Sequence, residues 1–134
     1  MMQRIILLLL SFFLLQSAGA QLKVSPNGRY LVKPDGTPFF WMGDTAWELF
    51  HRLNREQAAY YLKRRSEQGF TVVQAVALAE FDGLHTPNVY GDLPLKFDDP
   101  TQPNEAYFKH VDSLLELCSQ MNMVVMAAPL YLGC

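Results

Sequence analysis

Two cysteines in 134 residues cannot build the bridged framework that staples many small secreted domains. The fold therefore has to rest on an apolar core. An excess of one charge is missing as well. Lysine and arginine number 11 against 13 aspartates and glutamates, for a formal net charge of −2. That balance leaves no electrostatic footprint for nucleic acid and no polybasic patch for a membrane surface. The one basic run, Lys63-Arg64-Arg65, fits the solvated face and C-terminal end of a helix. No glycine-rich phosphate loop and no G-x-S-x-G elbow is present, which sets aside P-loop and α/β-hydrolase chemistry. His51, His85 and His110 lack ligand spacing with acids or thiols, so all three are expected as surface or loop residues. No metal and no other cofactor is expected.

What is present begins with an export signal. Arg4 precedes Ile5–Leu15, which is apolar except for Ser11, and Gln16–Ala20 ends in Ala18-Gly19-Ala20. These are the basic, apolar and small-residue regions of a secretory signal peptide over residues 1–20. The run is shorter than the roughly 20 residues of a spanning helix. The chain is thus expected to be secreted or periplasmic, cleaved before Gln21, and without a membrane anchor afterwards.

Turns and periodicity organise the remainder. Ser25-Pro26-Asn27-Gly28 and Pro34-Asp35-Gly36-Thr37 read as turns, so one or two hairpins should feed a first main strand at Phe39–Met42. Asn54 with Gln57 forms a capping box for a helix to Gln68, and Gly69 suits its C′ position. Thr71–Leu78 is almost wholly apolar and rich in β-branched residues, as in a strand covered on both faces. Residues 80–103 hold two glycines and four prolines and read as a long functional loop. Asn104 then caps a helix to Gln120 whose apolar residues, Cys118 among them, keep helical spacing. Met123–Ala128 reads as another strand covered on both faces. Strands alternating with helices imply parallel pairing. Cys134 ends the sequence.

The chemistry gathers at strand ends. In Phe39-Phe40-Trp41-Met42-Gly43-Asp44-Thr45-Ala46-Trp47 an apolar run stops at a glycine, and an acid, a hydroxyl and an indole follow. Thr45 stands three residues before Glu48, the spacing of a capping box, so a helix should start there. Asp44 and Trp47 would then lie at the carboxyl end of a strand, where parallel α/β folds bind ligands. Gln74 on the second strand, Glu80 just after it and Tyr131 after the third would join them. An indole covers the apolar faces of a sugar, and carboxylate and amide groups bond its hydroxyls. Asp44 and Glu80 could form the carboxyl pair of a glycosidase. Equally, Asp44 could cap a helix beside a core tryptophan, and Glu80 could bind loop backbone.

Gly36–Trp47, Gly69-Phe70-Thr71-Val72-Val73-Gln74 and the start of the third strand resemble the apiosidase-like glycoside hydrolases. The resemblance covers about residues 22–133. It implies an α/β fold: the N-terminal part of a (β/α)8 TIM barrel, about three of eight strands, preceded by a short β-hairpin. It also implies a carbohydrate substrate, pectic polysaccharide of the plant cell wall, from which that family is associated with releasing apiose. In the family the catalytic carboxylates sit on later strands. Asp44, Trp47, Gln74, Glu80 and Tyr131 therefore inherit substrate binding only, and no residue here is expected to be catalytic. Residues 21–134 are expected to be a truncated N-terminal portion of the catalytic barrel, inactive by itself. A small exported saccharide-binding α/β module and a non-functional gene fragment are the competing readings. For export, mass spectrometry of the secreted product should find Gln21 at the N-terminus; a product still carrying Met1 would contradict the signal.

Overall fold

The computed structural model describes residues 22–80 and 82–130. The expected signal segment, Tyr131 and Cys134 lie outside them. The chain divides after Phe40 into two units. In the first, β1 (Lys23–Val24), β2 (Leu31–Val32) and β3 (Pro38–Phe39) form an antiparallel sheet in that order. The two expected turns close it. Gly28 and Gly36 take φ of 69° and 85°, and their N–H groups donate back to the carbonyls of Ser25 and Lys33. Pro38 is accommodated on the edge strand, where a missing N–H costs no ladder bond.

In the second unit, β4 (Gly43–Thr45), β5 (Val72–Leu78) and β6 (Val124–Leu130) form a parallel sheet with β5 in the middle. Between β4 and β5 come α1 (Leu49–Arg52) and α2 (Arg55–Glu67); α3 (Glu105–Gln120) leads into β6. The cap of α2 is as expected: the Asn54 side chain accepts from Gln57 N–H, and Gln57 reciprocates. Gly69 follows it at φ 89°. Asn104 caps α3 by accepting from Ala106 N–H.

Strand alternation sorts the side chains. Val73 and Ala75 of β5 join Leu49 and Phe50 of α1, Ala58 and Leu62 of α2, and Tyr107, Val111, Leu114 and Cys118 of α3 in one core. Each fully buried leucine or phenylalanine there is worth about 1.5–3 kcal/mol. Cys118 is a free thiol, and burial pushes it up to about 11.

Four expectations need correction. The first main strand is Gly43–Thr45, not Phe39–Met42: Phe39 is used by the hairpin sheet, and the Met42 carbonyl accepts from Thr71 and Val72 N–H to begin the parallel register. The Thr45 capping box does not form; α1 starts after Glu48 without a side-chain cap. The strand expected at Met123–Ala128 as covered on both faces has no buried residue over Val124–Leu130, with Met126 and Leu130 exposed at 42% and 49%. Among the described residues its ladder neighbour is β5 alone. His51 and His110 are buried on α1 and α3, held by backbone: their Nε2 atoms lie 2.9 and 3.1 Å from the carbonyls of Thr86 and Leu53.

Tyr107 ties α3 to the carboxyl end of β5 by donating to the Ala77 carbonyl at 2.7 Å. Burial first, and then the charge of Glu48, push its phenol up to about 12. A raised folded-state value means that the neutral phenol stabilises fully below its ordinary value near 10, and that this is lost as pH rises through the folded value. Tyr107→Phe, which has no proton to lose, should therefore move the alkaline unfolding midpoint upward in far-UV circular dichroism. At neutral pH it should cost about 1 kcal/mol in urea through the unpaired carbonyl. Identical alkaline midpoints would contradict this account.

Candidate functional site

The carboxyl ends of β4 and β5 are drawn together by backbone beyond the strands themselves. Ala46 N–H donates to the Gln74 carbonyl at 2.8 Å, and Val76 N–H donates to the Trp47 carbonyl at 3.2 Å. This extension carries the Trp47 side chain to Glu80, two residues past β5. The indole Nε1–H donates to Glu80 Oε2 at 2.7 Å. A bond of this length to a carboxylate is charge-assisted and fixes the ring plane. The carboxylate keeps further acceptor sites for a ligand hydroxyl. The loop leaving Glu80 is steered by a close approach. A Cβ on Gly83 would meet Ala79 Cβ at 2.5 Å and the Ala79 carbonyl oxygen at 2.6 Å, so only glycine fits.

Parallel register divides the other expected residues. Asp44 is paired with Val73, and Thr45 with Gln74, which is paired in turn with Met126. Val73 faces the helices, so Asp44 does too. Its carboxylate Oδ2 accepts from the Tyr61 hydroxyl and pairs with Arg65 Nε, whose N–H is not aligned for a hydrogen bond. Burial first, and then the bond to Asp44, raise the Tyr61 phenol above its ordinary value. Arg65 is thus drawn back from the solvated face expected of it, and it also stands over the Tyr61 and Phe70 rings at 5.2 and 5.4 Å. Gln74 is half-buried on the opposite face, beside Thr45.

Trp47 and Glu80 are therefore brought together, with Gln74 and Thr45 on the face away from the helices, while Asp44 is committed to the helix layer. Tyr131 lies outside the described residues. Asp44 is held by Tyr61 and Arg65, and Glu80 accepts from Trp47, so the two carboxylates have separate partners. Three residues were missed. Thr45 has the spacing of a cap in the sequence, but it shares the parity of Gln74 once the strands are in register. Tyr61 and Arg65 stand four apart on one helix face, a spacing that places two side chains together. An open pocket of about 390 Å³ is lined by Trp47 with Thr45, Glu48, Arg52, Tyr61 and Arg65. Glu80 and Gln74 are not among its lining residues.

The family model of the apiosidase-like catalytic domain matches residues 25–134. A solved glycoside hydrolase family 5 protein from Bacteroides vulgatus is similar at 30% identity and a TM-score of 0.69, over 81% of this chain and 24% of its own length. Another solved structure, described as a glycoside hydrolase, is similar at 33% identity and a TM-score of 0.67, over 81% of this chain and 25% of its own. The chain thus spans about a quarter of the length of these structures and is similar to the N-terminal part of their barrels. Among curated proteins no match is found.

Two kinds of substitution separate the two faces. Glu80→Ala should shift the Trp47 Nε1–H proton resonance, identified against a Trp41→Phe background, with little loss of stability. Asp44→Asn should leave that resonance in place and lower stability by about 1 kcal/mol. Equal effects of both substitutions on the resonance would contradict the division.

Proposed function

This chain belongs to the apiosidase-like glycoside hydrolases through their catalytic domain, and from that membership we propose that it forms the N-terminal, substrate-facing part of an exported enzyme that releases apiose from pectic polysaccharide. The observation that supports this reading is the Trp47–Glu80 bond at the ends of two adjacent parallel strands. A fixed indole offers an apolar wall to the C–H face of a sugar, and the carboxylate beside it accepts from hydroxyls. Gln74 and Thr45 add polar groups on adjacent strands of the same sheet. In (β/α)8 enzymes this end of the strands carries the active site.

Hydrolysis needs two carboxyl groups flanking the scissile bond. Asp44 is engaged by Tyr61 and Arg65, and Glu80 by Trp47. In this reading the reacting pair is supplied by strands outside the described residues, and the residues named above bind and orient the glycan. The N-terminal signal pattern supports an enzyme that acts outside the cytoplasm, where such a polymer is met.

The test is to express the product of the protein's own reading frame and assay it on apiose-bearing pectic oligosaccharides, with cellulose and mannan oligosaccharides as comparison. Apiose release is expected. Glu80→Gln and Trp47→Ala should each lower kcat/KM by about 10-fold or more, the size of a lost bond to a charged group. Cleavage of another glycan without apiose release would refute the substrate. Binding of pectic oligosaccharide without turnover would favour the exported binding module.

A further inference from the structure

The loop between β5 and α3 contains a short hairpin whose tip is built at a cost. Leu95 and Pro103 bridge its stem, and Lys96 N–H donates to the Gln102 carbonyl at 2.9 Å. Asp99 N–H donates to the Lys96 carbonyl at 3.0 Å and closes a turn over Phe97 and Asp98, both at φ 56°. Positive φ at both central positions is the type I′ pattern, dominated by glycine, asparagine and aspartate. Phenylalanine there is a backbone outlier. The Phe97 side chain is also 91% exposed, so no core contact compensates for its conformation.

The frame around the tip holds that conformation in place. The Asp99 carboxylate accepts from Thr101 N–H, the Thr101 hydroxyl and the Gln102 amide at 2.9, 2.7 and 2.7 Å. At the base of the hairpin, Asn104 N–H and its side-chain amide donate to the carbonyls of Pro94 and Leu93, each at 2.8 Å. Strain maintained by a surrounding frame is found at ligand clamps and active sites, where the strained group is used. A single exposed aromatic needs no explanation; one that is exposed, strained and braced together does.

The tip also reaches the segment that follows β5. Asp98 Oδ1 lies 3.5 Å from His85 Nε2, and His85 Nδ1 is bonded to Asp82, two residues beyond Glu80. We propose that Phe97 is an aromatic platform that stacks on a further sugar residue of the glycan, beyond the one held at Trp47 and Glu80. This subsite rests on the reading of the chain as the substrate-facing part of a glycoside hydrolase. Stacking uses the ring face and needs the side chain in water before the ligand arrives, which accounts for both the exposure and the fixed backbone.

The experiment measures binding of immobilised apiose-bearing pectic oligosaccharide by biolayer interferometry, with the product of the protein's own reading frame, wild type, Phe97→Asn and Phe97→Tyr. Each variant's Tm is read in parallel. Asparagine suits the turn, so Phe97→Asn should raise Tm by about 2–4 °C and weaken binding about five- to tenfold. Phe97→Tyr should bind as wild type does. Undiminished binding by Phe97→Asn would overturn the platform and turn attention to a protein contact at the tip. Weaker binding with a lowered Tm would overturn it by making the ring a structural contact. Wild type that binds no pectic glycan would refute the functional reading itself, and the subsite with it, a result told apart because it appears before any substitution is made.

Discussion

The alternation of side chains along β5 is the constraint on which the rest of this structure depends. Val73 and Ala75 must face the helices, because with Leu62, Leu114 and Tyr107 they make the core of the second unit. A slip of one residue would exchange Val73 for Gln74 and bury an amide in an apolar layer, at a cost of about 1–3 kcal/mol even before packing is lost. With that parity set, the register of β4 assigns Asp44 to the helix side and Thr45 to the other. A carboxylate facing a core needs partners, and Tyr61 and Arg65 from α2 supply a hydroxyl and a cation.

The same constraint prepares the opposite end of the sheet. The ladder continues past β4 through Ala46 and Trp47, so the indole approaches Glu80 from a backbone that is already hydrogen-bonded. Tyr107 anchors the start of α3 beneath Ala77, and Gly83 lets the loop pass closely over Ala79. A binding group is more precise when carried by elements of this kind than by loose loops. Within the loop, the turn that carries Phe97 is braced by Asp99.

Much of this was legible in the sequence because it is local. Turn residues at Gly28 and Gly36, the capping box at Asn54 and Gln57, the C′ glycine at Gly69 and the helical stripe ending at Cys118 each act over a few neighbours. The β-branched run at Val72–Leu78 reads from its own composition as a strand covered on both faces. Those features, with strand and helix alternation, were enough to determine the α/β class and to place Trp47 and Glu80 at strand ends. Tertiary structure decided what depends on pairing between distant segments. Register gave Asp44 the partners Tyr61 and Arg65, and the hairpin's use of Phe39 moved the first parallel strand to Gly43. Burial of His51 and His110 depended on carbonyls 35 and 57 residues away, which no spacing rule reaches. The bond between Trp47 and Glu80 spans 33 residues for the same reason: sequence chose the two groups, and only the parallel ladder could bring them within 2.7 Å.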